Sequence, residues 1–258
     1  MTNSVSTANL TLSGKVAMVT GGGTGIGRAT ALELAKAGAD VAVSGRRQAP
    51  IEAVAKEIRV LGRRALAVST DVSSKAEVDN LVQRTTEELG AIDILVNNAA
   101  NGGSGPSMLD SDEARWDEII DTNLKSGYLC CHAVSPGMID RKCGIIVNIS
   151  SVASLRSQGC RIYGIAKAGM NFMTRGLAQD LAPHGVRVNC IAPGATQTDM
   201  LAADVGNEPE DWERVAKYVP LGRVAQPVDM ATVILFLASD ASNYVTGQIF
   251  AVDGGLVV

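Results

Sequence analysis

The chain has 258 residues, 46% of them hydrophobic and 19% charged, with a formal net charge of -4. That balance excludes the basic footprint of a nucleic-acid binder, and no apolar run is long enough to cross a membrane. The hydrophobic share can fill the core of one α/β domain, and no linker interrupts the pattern, so residues 10–258 are expected to fold as a unit. Residues 1–9 are polar, with neither a basic segment nor an apolar stretch, and are expected to be a flexible tail and not a signal peptide. Five cysteines, Cys130, Cys131, Cys143, Cys160 and Cys190, form an odd set without Cys-x-x-Cys spacing. They predict reduced, mostly buried thiols, no metal site and a cytoplasmic location.

In chain order, β-branched runs predict strands at Lys15 to Thr20, Val41 to Ser44, Ala65 to Val68, Asp93 to Val96, Gly144 to Ile149, Val186 to Ile191 and Ile249 to Val252. Amphipathic stretches separate them. The alternation implies a doubly wound α/β fold of Rossmann type, with about seven parallel strands and helices on both faces. Ser74-Lys75-Ala76-Glu77 predicts a capping box at one helix start. Residues 199–220 form a polar insertion, with a short helical segment from Asp211 to Tyr218.

The first strand runs into Thr20-Gly21-Gly22-Gly23-Thr24-Gly25-Ile26-Gly27 and then into a helical pattern. Glycines there allow positive φ and close backbone approach, and a pyrophosphate can sit at the positive end of the helix dipole. An acidic ribose-binding residue is expected about 20 positions later in an NAD-type site. The second strand instead ends in Gly45-Arg46-Arg47. Tyr163-Gly164-Ile165-Ala166-Lys167 places a phenol and an ammonium on one helix face. A cation near a phenol favours the phenolate, which would make Tyr163 a usable proton carrier.

These motifs, taken in order, resemble the classical short-chain dehydrogenase/reductase family over nearly the whole chain. Gly21, Thr24, Gly25, Ile26 and Gly27 match its cofactor loop, Asp71 and Val72 its adenine contact, and Asn97-Asn98-Ala99-Ala100 its fourth-strand motif. Asn123 matches the helix asparagine, Ser150-Ser151 the catalytic-serine strand, Tyr163 and Lys167 the catalytic pair, and Pro193-Gly194 with Thr196 and Thr198 the nicotinamide-side loop. Two departures are Ala100 where the family usually has glycine, and Thr24 where many NADP-using members carry a basic residue.

The resemblance implies an oxidoreductase that interconverts a carbonyl and an alcohol. Tyr163 would be the general acid/base and Lys167 would lower its pKa and hold the nicotinamide ribose. Ser151, favoured over Ser150, would polarise the substrate oxygen, and Asn123 would hold a water linking Lys167 to solvent. Asn98, Ala99 and the loop residues above would hold the dinucleotide. Arg46 and Arg47 favour NADP(H), with NAD(H) as the alternative, because arginine pairs with a 2′-phosphate. The expected activity is an NADPH-dependent carbonyl reductase; an NAD-dependent alcohol, polyol or sterol dehydrogenase is the second reading, and a dinucleotide-binding regulator without turnover the third. Substrate walls are expected at residues 101–107, Val152 to Ile162 and Met200 to Tyr218. Segments Asp112 to Tyr128 and Tyr163 to Leu181 resemble subunit-pairing helices, which implies a homotetramer.

Overall fold

The computed structural model describes residues 10–102, 107–157 and 159–258. The tail at 1–9 and the parts of the expected substrate walls at 103–106 and 158 lie outside them. The β-branched runs become β1 (Val16–Thr20), β2 (Asp40–Gly45), β3 (Ala65–Ser69), β4 (Ile94–Asn97), β5 (Gly144–Ile149), β6 (Val186–Pro193) and β7 (Ile249–Val252). They form one seven-stranded sheet in the order β3-β2-β1-β4-β5-β6-β7, each pair parallel. Helices fill the connections: α1 (Gly25–Lys36), α2 (Gln48–Val60), α3 (Lys75–Glu88), α4 (Glu113–Ile120), α5 (Ser126–Arg141), α6 (Ile162–Leu181), α7 (Asp199–Val205), α8 (Pro209–Ala216) and α9 (Pro227–Ala238).

Alternation along β1 sends Ala17 and Val19 into one core layer and Val16 and Met18 into the other. The first layer is closed by α1, α2 and α9 through Leu34, Ile51, Ile58, Met230 and Ile234. The second is closed by α3, α5 and α6 through Leu81, Val134, Met138 and Leu181. Because both faces are covered, the central strands read as continuous apolar runs. The sheet order reverses between β1 and β4, so their carboxyl ends diverge and leave a crevice there.

Three local features differ from the sequence expectation. β2 begins at Asp40, a buried carboxylate that a pattern of apolar residues would not place in a strand. Burial alone would raise its pKa, but hydrogen bonds from Arg64 and the adjacent guanidiniums of Arg63 and Arg64 hold it below the usual value. The capping box at Ser74 forms only by half. Ser74 Oγ accepts from the Glu77 N–H at 3.4 Å, while the Glu77 carboxylate accepts the N–H of Asp71 at 2.7 Å. In the insertion, α8 starts at Pro209, two residues before the expected segment, because Glu208 and Asp211 cap each other's backbone there.

Cys130, Cys131 and Cys190 are buried while Cys143 and Cys160 are exposed, and all five are free thiols. Burial pushes Cys131 and Cys190 up to about 12. Among the described residues no group of three or more His, Cys, Asp or Glu side chains converges to hold a metal, and no helix is long and apolar enough to cross a membrane.

Candidate active site

A cleft of ≈ 690 Å³ opens beyond the carboxyl ends of β1, β4, β5 and β6. Every residue assigned above to the cofactor lines it, from Gly21 and Arg46 at one end to Tyr163, Lys167 and Thr198 at the other.

The glycine loop is shaped by what surrounds it. Gly21 and Gly25 adopt φ of +62° and +53°, the left-handed region that glycine enters without a Cβ penalty. A Cβ on Gly27 would collide with the Gly21 carbonyl oxygen and the Asn98 amide nitrogen, so the helix start and the loop can touch only through glycine. Asn98 clamps the loop, its Nδ2 donating to the carbonyls of Thr20 (2.9 Å) and Gly21 (3.1 Å). Thr20 Oγ1 returns the contact, accepting from the N–H groups of Asn98 and Ala99 at 3.0 and 3.1 Å. The side chain of Thr24 makes no capping hydrogen bond to α1. The first-turn residues Gly25, Ile26 and Gly27 line the cleft, and among the described residues no side chain accepts from their N–H groups, the arrangement that suits an anionic pyrophosphate. These residues fit a dinucleotide.

At the far end of β2, Arg46 and Arg47 are exposed and line the cleft beside Asp71. Hydrogen bonds from Ser73, aided by the charge of Arg46, hold the Asp71 carboxyl below its ordinary value. No acidic side chain stands at Gly45.

The catalytic candidates converge from β5 and α6. A polar ladder fixes β4, β5 and α6 to one another: Asn97 Nδ2 donates to Asn148 Oδ1 at 2.9 Å, and Asn148 Nδ2 donates to Thr174 Oγ1 at 2.9 Å. The two serines after β5 diverge. Ser150 is buried and donates to the Lys167 carbonyl at 3.0 Å, whereas Ser151 is half-buried and its hydroxyl lies close enough to Tyr163 to favour the phenolate. Ser151 Oγ also accepts the Ala153 N–H at 3.2 Å, which starts a tight turn.

Lys167 is 2% exposed, and its Nζ donates to the Ile149 carbonyl at 3.0 Å. Burial lowers its ammonium to about 8. Its Nζ stands 5.6 Å from the Tyr163 ring centroid. The expected depression of the tyrosine pKa is absent in this arrangement. Burial pushes the phenol up to about 12, the Ser151 hydrogen bond opposes this, and the charge of Asp204 on α7 adds to it. Desolvation of the phenolate is the largest effect.

Asn123 is the one assigned residue that does not line the cleft; its neighbour Thr122 does. It is fully buried within a π-helical turn, Asp121–Lys125, between α4 and α5. Its Nδ2 faces three acceptors, the Asn101 carbonyl (3.0 Å), Asn101 Oδ1 (2.8 Å) and the Ile119 carbonyl (2.9 Å). That fixes its amide orientation and leaves Oδ1 buried, without a partner among the described residues.

Sequence reasoning missed the contribution of the C-terminal segment. Asp253 accepts from the N–H groups of Gly255 and Val257, each at 2.9 Å, and folds the chain so that Leu256 and Val257 line the cleft. Gly194 approaches this segment so closely that a Cβ there would come within 2.7 Å of Asp253 Cα, a contact between residues far apart in the chain that local spacing does not announce.

Comparison with known proteins agrees with this geometry. Residues 21–257 match the family model described as enoyl-(acyl carrier protein) reductase. The chain is 41% identical over 242 residues to the (2S)-[(R)-hydroxy(phenyl)methyl]succinyl-CoA dehydrogenase subunit BbsD of Thauera aromatica, covering 93% of this chain and 96% of that one. It is 41% identical over 251 residues to a 3-oxoacyl-[acyl-carrier-protein] reductase of Synechocystis, covering 96% and 98%. Among solved structures, a 7α-hydroxysteroid dehydrogenase complexed with NADH and 7-oxo glycochenodeoxycholic acid superposes with a TM-score of 0.91 at 37% identity, covering 98% of each chain.

Proposed function

The chain belongs to the short-chain dehydrogenase/reductase family, and from that premise we propose that it is an NADPH-dependent carbonyl reductase acting on a small molecule. The observation that carries the reading is the convergence of Tyr163, Ser151 and Lys167 in the cleft, with Lys167 Nζ 5.6 Å from the Tyr163 ring centroid. A phenol in that position can donate a proton to a carbonyl oxygen as it is reduced.

The glycine loop, the α1 N-terminus and Asn98 would hold the dinucleotide, with Asp71 and Val72 beside the adenine and Pro193, Gly194, Thr196 and Thr198 at the nicotinamide end. When bound, the reduced nicotinamide supplies the hydride for the carbonyl carbon. Ser151 donates a hydrogen bond to the carbonyl oxygen, which polarises it, and Tyr163 delivers its proton to the same oxygen. The product is the alcohol. Lys167, with its ammonium lowered to about 8, can give up a proton near neutral pH and so reload Tyr163. Asn123 supports the solvent end of that path, since its buried Oδ1 is an acceptor still open to a donor.

Arg46 and Arg47 support NADP(H), because a 2′-phosphate placed there meets guanidinium and not the carboxylate of an NAD-type site. The second reading, an NAD-dependent dehydrogenase, is favoured by the NADH in the similar hydroxysteroid dehydrogenase and by Thr24, which adds no second cation. A homotetramer in the cytoplasm completes the proposal; exposed Tyr128, Ile165 and Phe172 on α5 and α6 are its candidate contact surface. The test is a panel of ketones and alcohols assayed with each nicotinamide cofactor. NADPH-linked ketone reduction is expected, and turnover with NAD(H) alone, or none with either cofactor, would overturn the reading.

A further inference from the structure

Beyond the reacting atoms, the cleft has an asymmetric wall. Val152, Met200, Leu201, Leu256 and Val257 give it apolar surface, and two arginines, Arg156 and Arg161, stand among them, of which Arg161 already has a partner. Arg156 is exposed and lines the cleft, yet it takes part in none of the ion pairs formed by the described residues. Its guanidinium makes one contact, Nη1 to the Leu256 carbonyl, at 3.5 Å, the outer limit of a hydrogen bond.

Its backbone, by contrast, is fixed. Ser151 caps the turn that follows β5, and Ser154, Leu155 and Arg156 donate in succession to the carbonyls of Ser151, Val152 and Val152 at 2.9 to 3.0 Å. Arg156 therefore stands on the same turn that presents Ser151. It lies five positions beyond Ser151 in the chain, so a group held by Arg156 is a different part of the substrate from the carbonyl that meets Ser151.

The other charges of the cleft are committed or opposed to this one. Lys167 is given to the Ile149 carbonyl, Arg161 is already partnered, and Arg46 and Arg47 lie at the other end beside Asp71. Asp199 and Asp204 line the wall from α7, and Asp204 is close enough to Tyr163 to raise its phenol. An anion near α7 meets repulsion; an anion at Arg156 meets a guanidinium with its charge-assisted hydrogen bonds still to make.

We propose that the substrate is amphipathic, with an apolar body against Val152, Met200, Leu201, Leu256 and Val257 and an anionic group, carboxylate or phosphate, held by Arg156. The inference rests on the carbonyl-reductase reading for its choice of cleft, but a binding measurement separates the two. Decanoate and 4-phenylbutanoate would be titrated by calorimetry into the dinucleotide-loaded protein, each against its methyl ester, with wild type, Arg156→Gln and Arg156→Lys.

A partly exposed charge-assisted contact corresponds to roughly a tenfold difference in affinity. The carboxylates should bind about tenfold more tightly than the esters to wild type, lose that advantage in Arg156→Gln and keep part of it in Arg156→Lys. Ester binding should not change. Decanoyl phosphate in the same titration distinguishes a phosphate site from a carboxylate site, since the true group shows the larger loss on Arg156→Gln. Equal binding of acids and esters, or an acid preference that survives Arg156→Gln, overturns the proposal. If the acids bind through Arg156 but no ketone is reduced, the anion site stands and the enzymatic reading fails.

Discussion

Replacing Lys167 with methionine should separate the stability of the fold from the chemistry of the site. The side chain is 2% exposed, and burial lowers its ammonium from 10.5 to about 8. A depression of roughly 2.5 units, at about 1.36 kcal/mol each, makes the charged form cost on the order of 3 kcal/mol in the folded state. The unfolded chain keeps that proton up to about pH 10.5, so between about pH 8 and 10.5 it binds more protons than the folded one. Stability should therefore rise with pH across that window; the full cost is present below it and relieved above it. Methionine has no proton to lose, so Lys167→Met removes the rise. The lost hydrogen bond to the Ile149 carbonyl offsets the variant's whole curve by about 1–3 kcal/mol without altering its slope. Urea unfolding of both cofactor-free proteins, from pH 7 to 10.5 at one protein concentration, holds any subunit association fixed. The stability of wild type minus that of the variant should grow by about 3 kcal/mol. Parallel curves would refute the reasoning.

Three further outcomes are expected. Gly27→Ala drives a methyl group into the Gly21 carbonyl and the Asn98 amide; it should cost about 1–3 kcal/mol of stability and weaken dinucleotide binding, and unchanged affinity by titration would remove Gly27 from the cradle. Ser151→Ala should lower kcat far more than Ser150→Ala, since both serines line the cleft but the Ser150 hydroxyl is committed to the Lys167 carbonyl; the opposite ranking in steady-state assays would mean the wrong serine has been assigned. Gly45→Asp combined with Arg46→Ser should shift preference from NADP(H) toward NAD(H), and tighter NAD(H) binding by the unaltered protein would mark Arg46 as a surface charge with no phosphate to hold.

The sheet was legible because its strands are short β-branched runs closed on both faces by amphipathic helices, so local pattern and tertiary environment agree. Agreement ends where a residue is stabilised by distant partners. Asp40 joins β2 only because Arg63 and Arg64 arrive from the start of β3, and no local pattern announces that. Glu77 leaves its own helix cap because the Ser74 N–H is already given to the Asp71 carbonyl, while the Asp71 N–H is within its reach. The π-helical turn at Asp121–Lys125 adds one residue to a helical repeat without changing its composition, so periodicity passes over it. It is this turn that buries Asn123 behind the cleft wall.

Within the site, positions next to glycines or at strand ends could be named from spacing, because the chemistry of the loop demands those residue types. The contributions of Leu256 and Val257 depend on a fold-back by Asp253 after the last strand, and that of Asp204 on the placement of α7. The direction of the Tyr163 shift was likewise hidden, since spacing gives the ammonium but not the depth of burial that raises the phenol.

The central claim is that Tyr163 is the proton donor of a nicotinamide-dependent carbonyl reductase. It is tested most directly by comparing wild type with Tyr163→Phe, following oxidation of NADPH with the best ketone of the panel and titrating NADPH binding in parallel. The account predicts that kcat falls by about 10²–10⁴-fold while NADPH affinity stays close to that of wild type. Turnover by Tyr163→Phe within about tenfold of wild type would contradict it.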